Sequence, residues 1–135
     1  MKADIVIPKV ENVHIVAIQE WSDDFQENCW YAYLLNATNE PLEMAMIVSR
    51  AYGLIDGEQR NTMSLRHAFA KVESQSAVRI EFLENNVLQL NNEFLLSYFI
   101  DNKMFDKKFI FKANAISEKV KIDLPVVNKQ GILGS

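Results

Sequence analysis

Cysteine is almost absent from this sequence, because Cys29 is the only one among 135 residues. A lone cysteine cannot form a disulfide within the chain, so nothing in the sequence indicates an oxidising compartment. The N-terminal segment lacks the apolar stretch of a signal peptide, and no apolar run approaches the roughly 18 residues that a membrane helix needs. These absences predict a cytoplasmic protein that has no contact with a membrane.

Signatures of catalysis and metal binding are missing as well. The two histidines, His14 and His67, have no cysteine or carboxylate partners at the spacing of a known zinc site. The sequence contains no G-x-G-x-x-G, no P-loop and no G-x-S-x-G, and the acidic loop 22–28 lacks the turn glycine of a calcium loop. We therefore predict no cofactor, no metal ion and no catalytic residue, which favours a non-enzymatic role.

Basic residues are outnumbered, and the net charge of −4 argues against a general affinity for nucleic acid. The balance is nevertheless −7 over residues 1–100 and +3 over residues 101–135. In the basic part, phenylalanines interleave with lysines, as in single-stranded nucleic-acid binders. The lysines are Lys103, Lys107, Lys108 and Lys112. The competing interpretation is an edge strand with inward phenylalanines and outward lysines, in which the adjacent lysines mark a β-bulge.

Apolar residues recur with a period of two, which is typical of half-buried strands. Val78, Ile80 and Phe82, for example, alternate with Arg79 and Glu81. Strands are predicted at about 12–21, 29–37, 42–52, 62–72, 77–84, 93–100, 104–112 and 118–124. The pattern indicates a loop at 53–61, a crossover or helical turn at 84–93 and a flexible or surface-lying tail at 125–135.

Seven or eight short strands at this spacing predict a single all-β domain over residues 1–135. The preferred fold is an antiparallel immunoglobulin- or fibronectin-like sandwich, and a barrel is the second choice.

Several predicted strands are apolar on both faces. In the second strand Trp30 points to the predicted core, whereas Tyr31 and Tyr33 share the opposite face. In the third strand, Met44 and Met46 likewise lie on one face. Because a sandwich buries one face of each sheet, the other faces must be covered by the terminal segments, by the crossover or by another subunit. The preferred function is therefore a protein-interaction or self-association module, with these two tyrosines and two methionines in the interface.

A second hypothesis is a small-molecule or enzymatic site formed by the loops 22–28 and 53–61. Its candidate ligand-binding residues are Asp24, Arg60, Arg66 and His67. Weak nucleic-acid contact through the lysines of the 103–112 hairpin is the third hypothesis.

The chain also resembles a family of short uncharacterised bacterial proteins. The resemblance lies in the runs IPKVENV, WYAYLLN followed by EP, LRHAF, LNNEF and DNKMFDKKFIF. Some members of that family carry the label phenylalanyl-tRNA synthetase subunit alpha, which implies amino-acid activation. A class II synthetase domain is much longer and uses arginine-bearing motifs around ATP, and the four arginines of this chain have no such context. The resemblance therefore supplies no catalytic residue.

Overall fold

The computed structural model describes residues 8–135, so the first residues of the predicted domain, including the start of the IPKVENV run, lie outside the described part. Within it the chain forms ten β-strands and two short helical turns. The strands are β1 (Val13–Ser22), β2 (Glu27–Asn36), β3 (Leu42–Ile55), β4 (Glu58–Asn61), β5 (Leu65–Val72), β6 (Ser76–Leu83), β7 (Asn91–Ile100), β8 (Lys103–Phe111), β9 (Ile122–Asp123) and β10 (Gln130–Leu133). A single helical turn, α1 (Asn85–Leu88), precedes β7, and a 3-10 turn spans Glu118–Val120.

The first sheet is antiparallel and has the strand order β6-β2-β1-β10-β9. Its centre is the β1–β2 hairpin, which pairs from Val13 with Asn36 to Ser22 with Glu27. Strict alternation along both strands places apolar side chains on both faces of the hairpin. One face is turned toward the second sheet, and the other is turned away from it.

The second sheet is antiparallel and has the order β4-β3-β7-β8, with β5 on the same side of β3 as β4. The 14 residues of β3 are enough to pair with β4 near one end and with β5 near the other. A bulge interrupts the pairing of β3 with β7 between Glu43 and Met46. Met44 lies in this bulge with a φ of 49°, and its side chain is 65% exposed.

One core lies between the two sheets and takes buried side chains from both. Trp30 belongs to it and is 7% exposed, which confirms its predicted core placement. Phe94, Tyr98, Phe109 and Phe111 contribute the large rings from the second sheet. The prediction of an antiparallel β-sandwich is thereby confirmed, with ten strands in place of the seven or eight expected, whereas the finer immunoglobulin- or fibronectin-like assignment stays a prediction.

A sheet strand takes the place of the predicted flexible tail at 125–135. β10 lies between β1 and β9, where Ile132 pairs with Ala17. Beyond β10, Ser135 and Ile110 of β8 exchange two backbone hydrogen bonds of 3.0 Å, so the residues after β10 join the first sheet to the edge strand β8 of the second. The partners lie far away in the sequence, which is why local alternation does not reveal this strand.

The predicted loop at 53–61 is corrected as well. β3 continues to Ile55, and Asp56 and Gly57 then turn the chain into β4 with φ values of 52° and 79°. Two successive left-handed residues are what a tight hairpin turn requires, and Asp-Gly favours them. The segment is therefore a hairpin.

Two further local predictions are wrong. The segment 118–124 is a 3-10 turn followed by the two-residue strand β9, not a continuous strand. The pairing of β7 with β8 shows no register shift at Lys107 and Lys108, so these adjacent lysines do not mark a bulge. Of the two alternatives predicted for 84–93, the structure has the helical turn, which is α1, and β7 begins at Asn91.

Candidate functional site

The chain itself covers the outer face of the first sheet. Val16, Ile18 and Leu35 lie on this face and pack with Leu124, which follows β9. All four side chains are buried, and Val127 packs against them. The C-terminal segment thus supplies one of the coverings that the sequence required.

Tyr31 and Tyr33 lie on the same covered face. The Arg79 guanidinium carbon is 4.0 Å from the centroid of the Tyr31 ring, and Arg79 Nε donates to Tyr33 Oη at 3.2 Å. The Tyr33 hydroxyl donates to Glu20, whose other oxygen accepts from Lys129 Nζ at 2.6 Å. Burial alone would raise the pKa of Glu20, but the hydrogen bonds from Lys129 and Tyr33 outweigh it and hold the pKa below its ordinary value. These two predicted interface residues are therefore already in contact with Arg79 and Glu20 of their own chain.

The outer face of the second sheet has no comparable covering within residues 8–135. We call this surface the methionine face. It is formed by Met46, Val48, Leu95, Ser97, Phe99 and Met104, together with the exposed Met44 of the β3 bulge. Met46 is 50% exposed, Leu95 45% and Met104 51%, and the face holds three of the five methionines of the chain. The two predicted interface methionines thus lie on the opposite side of the molecule from the two predicted interface tyrosines.

Charged residues are distributed unevenly along the methionine face. On β8, Asp106 lies level with Met46, and Lys108 lies one row further, level with Val48. In the next row the buried carboxylate of Glu93 accepts from Arg50 Nε at 2.5 Å and lies 3.6 Å from Lys108 Nζ. Asp106 forms no ion pair with any residue of the described chain. The face consequently has an acidic and a basic end along the strand direction.

A cleft of about 550 Å³ opens where β6 of the first sheet meets β3 and the β4–β5 connection of the second. In its wall, Ser49 Oγ donates to Glu81 Oε1 at 2.5 Å, and His67 Nε2 lies 3.0 Å from the same oxygen. Leu65 and Val87 are among its apolar lining residues. Glu81 Oε2 has no hydrogen-bond partner among residues 8–135. The cleft therefore offers a fixed carboxylate oxygen next to apolar surface.

The geometry of this cluster differs from that of a hydrolytic triad. A nucleophilic serine gives its proton to a histidine, which an acidic residue orients. Here the carboxylate of Glu81 lies between Ser49 and His67 and binds both, so the serine has no histidine base. Such an arrangement can bind a hydrogen-bond donor, and it links the two sheets.

The four residues of the predicted ligand site do not converge. Asp24 is exposed in the β1–β2 turn, and Arg60 is exposed on β4. Arg66 and His67 are neighbours on β5, so their side chains point to opposite faces of the sheet. No hydrogen bond or ion pair joins any two of the four. Only His67 takes part in the cluster at the cleft.

The lysines of the predicted nucleic-acid contact are divided between the two faces of β8. Lys108 lies on the methionine face, whereas Lys107 is on the inward row with Phe109, and its Nζ is 4.7 Å from the centroid of that ring. Lys103 begins the strand and Lys112 follows its end. Contact of the hairpin with nucleic acid stays a prediction.

Cys29 is buried and its Sγ is 3.8 Å from the carbonyl oxygen of Glu27. Its cross-strand neighbour is Glu20, six residues along β1 from His14. Burial, followed by the charge of Lys107, lowers the pKa of His14. Within the described part of the chain, no three or more His, Cys, Asp or Glu side chains are grouped to hold a metal ion.

Sequence reasoning did not identify Ser49, Glu81 or Asp106. Ser49 and Glu81 lie on strands of different sheets and meet only because the two sheets pack against each other. Their sole local signal is polarity within apolar strands, which solvent-facing residues share. Asp106 and Lys108, in contrast, sit two residues apart on one strand, a spacing that already places them on the same face.

Three comparisons with known proteins found no match, whether with family models, with curated proteins or with solved structures. The resemblance to the family of short bacterial proteins therefore stays a prediction. No helix within residues 8–135 is both long enough and apolar enough to cross a bilayer.

Proposed function

We propose that this chain is a non-catalytic cytoplasmic interaction module that binds a protein surface through the methionine face. The observation that carries the proposal is the contrast between the two outer faces. Residues following β9 bury the apolar centre of one face, whereas Met44, Met46, Leu95 and Met104 remain about half exposed on the other. Contiguous apolar surface of this kind usually marks an interaction site.

The composition of the face supports the same function. Methionine is unbranched and polarisable, so it adapts its shape to a partner and is frequent at binding surfaces. A depression of about 430 Å³ lies next to Met46, Leu95 and Lys108 and offers a seat for a partner side chain. Polar groups at the border, including Asp106 and Lys108, give the apolar centre the polar rim of an interface.

The test is oxidation of methionine by hydrogen peroxide, read by mass spectrometry. Met46 and Met104 report on the face, and Met63 is the internal control because it is 87% exposed in the β4–β5 connection, away from the face. The reaction is compared between dilute purified protein and an extract of the cells that express it. We expect Met46 and Met104 to be protected in the extract at least threefold more than Met63. Equal protection of the three residues by the extract, or no protection of any of them, would remove the proposal.

The cleft favours a second candidate function, the binding of a small organic amine. Glu81 is held from one side by Ser49 and His67, which leaves Oε2 as an acceptor beside apolar groups. An ammonium group with a short alkyl chain would pair with this carboxylate, and its chain would pack on Leu65 and Val87. The cleft volume lies within the range of small-molecule sites.

Binding to the cleft can be tested with three probes of equal chain length, namely pentylamine, pentanol and pentanoate. We expect pentylamine alone to shift the amide resonances of residues 81 and 82. Glu81→Gln keeps the acceptor for Ser49 and should weaken pentylamine at least tenfold. Exposed Glu58 lies outside the lining, so Glu58→Gln serves as the control. Equal shifts from pentylamine and pentanoate would contradict the assignment.

A further inference from the structure

We propose that the partner of the methionine face is a second copy of this chain, related by a two-fold axis that lies between the two faces and runs perpendicular to the strands. The inference rests on the proposed function of the face and names its partner. It follows from the order in which charged and apolar residues succeed one another along β3, β7 and β8.

The pairing of these strands arranges the face in successive rows. One row contains Met46, Ser97 and Asp106, and the next contains Val48, Leu95 and Lys108. A two-fold axis midway between the rows places each row of one copy over the other row of its partner. Asp106 then lies over Lys108 of the partner subunit, and the same contact occurs twice. Met46 lies over the partner's Val48, so the same rotation also covers the apolar centre of the face.

The outer rows fit the same operation. On one side of the central pair, Glu43 and Met104 lie level with Phe99, and on the other side Arg50 and Ile110 lie level with Glu93. The axis superimposes these two rows, which brings Met104 over Ile110 of the partner subunit. It also brings Arg50 over the partner's Glu43, and Glu43 forms no ion pair with any other residue of the described chain. Every charged contact in this arrangement joins opposite signs.

A two-fold axis parallel to the strands gives a different and less favourable result. It keeps each row level with itself and exchanges β8 with β5. Arg66 of β5 lies level with Val48, so Lys108 would face Arg66 of the partner subunit across the interface. Like charges placed opposite each other oppose association. The charge pattern therefore selects the perpendicular axis.

The size of the face sets the expected strength of the dimer. Together with β5, whose Ala68 and Arg66 lie level with Met46 and Val48, the surface has four strands and four rows. At ordinary strand spacing and rise it spans about 20 Å by 25 Å, or about 500 Å² per copy. The two copies together cover about 1,000 Å², which is at the low end of specific interfaces. We expect a dimer that dissociates in the micromolar range and weakens as salt screens the ion pairs.

Sedimentation velocity between about 1 µM and about 500 µM, which brackets the affinity expected for such an interface, tests the proposal. Asp106→Lys places a lysine over Lys108 of the partner subunit and should weaken the dimer at least tenfold. The double variant with Asp106→Lys and Lys108→Asp restores opposite charges and should dimerise within about threefold of the original chain. Asp24→Lys makes the same charge change on the exposed β1–β2 turn and should leave the dimer unchanged.

The outcomes separate this proposal from the function it rests on. A chain that stays monomeric throughout, or an Asp106→Lys variant that dimerises like the original chain, would overturn the two-fold dimer. If Met46 and Met104 are nevertheless protected in the cell extract, the face binds a different protein and the proposed function stands. Lys108 also contacts Glu93, so thermal unfolding checks that the double variant folds. If it does not, Asp106→Lys alone decides the question.

Discussion

Replacing Gly131 by alanine tests how closely the C-terminal segment packs in the first sheet. Gly131 is buried in β10, between β1 and β9. A Cβ at this position would overlap the carbonyl oxygen of Ala17 and lie 2.8 Å from Leu124 Cδ1. The Ala17 carbonyl belongs to the central strand β1, which cannot yield without disturbing its pairing with β2. The strain must therefore displace β10 and, with it, the cover over the outer face of this sheet.

Overpacking of this kind costs about 1–3 kcal/mol, and we expect the upper part of that range because the clash is with backbone. For a chain of this length, such a loss lowers the melting temperature by about 10 °C. The assay is thermal unfolding followed by circular dichroism, together with hydrogen exchange of residues 122–133. Gly134→Ala is the graded control, since its Cβ would lie 3.1 Å from Ile15 O and should cost about 1 kcal/mol or less. An unchanged melting temperature and unchanged hydrogen exchange in the Gly131 variant would refute the close packing of β10 against β1.

Three further substitutions probe the core and two perturbed groups. Trp30→Ala should lower the free energy of unfolding by about 3–5 kcal/mol in urea denaturation, and a loss below about 1 kcal/mol would contradict its burial. Lys129→Met should destabilise the chain at neutral pH. The lowered pKa of Glu20 makes this difference complete above the ordinary carboxyl pKa of about 4.3, and it should vanish in acid, where Glu20 is protonated. Burial raises the pKa of Tyr98 to about 12, so stability should fall as the pH rises from about 10 toward that value. Tyr98→Phe should remove this part of the alkaline loss in pH-dependent unfolding, and an unchanged alkaline profile would contradict it.

Period-two alternation is enough to predict the sandwich, because burial of one side of a strand acts on residues that are close in sequence. Ala45 and Ile47 are buried and Met46 is half exposed, as the alternation in β3 indicates. Pairing between distant segments leaves no comparable local signal. β10 contains only a short apolar group, and its place beside β1 depends on contacts with residues more than a hundred positions earlier.

The hairpin at Asp56 and Gly57 was predicted as a loop for a different reason. Its sequence carries the Asp-Gly signal of a tight turn, but the flanking residues of β4, EQRN, are polar and exposed. A strand without an apolar row gives no alternation to detect. Pairing with the long strand β3, and not burial of its own side chains, defines β4.

The candidate sites also differ in how far local spacing in the sequence predicts them. The sequence predicts that Met44 and Met46 share one face, since their spacing alone places them together. The sequence prediction grouped these methionines with Tyr31 and Tyr33 in one interface. The tyrosines lie on the other sheet, and only the assembly of the two sheets shows this separation. The Ser49–Glu81 contact also requires that assembly, because the two residues belong to different sheets.

The exposed apolar residues outside the methionine face do not weaken its assignment. Trp21, Leu54, Met63 and Val120 are each more than half exposed, but they lie on different turns and strands. Single exposed apolar residues are ordinary on protein surfaces, because polar groups are too few to cover a folded chain. A connected surface differs in its energetics, since one partner can remove all of it from water at once and gains roughly 25 cal/mol for each Å² covered. That gain also has to offset the loss of freedom on association, so a surface of this modest size depends on complementary charges at its border to define one orientation. Asp106 and Lys108 supply such charges in a self-complementary order, whereas the scattered residues have no neighbours with which a partner could engage them together.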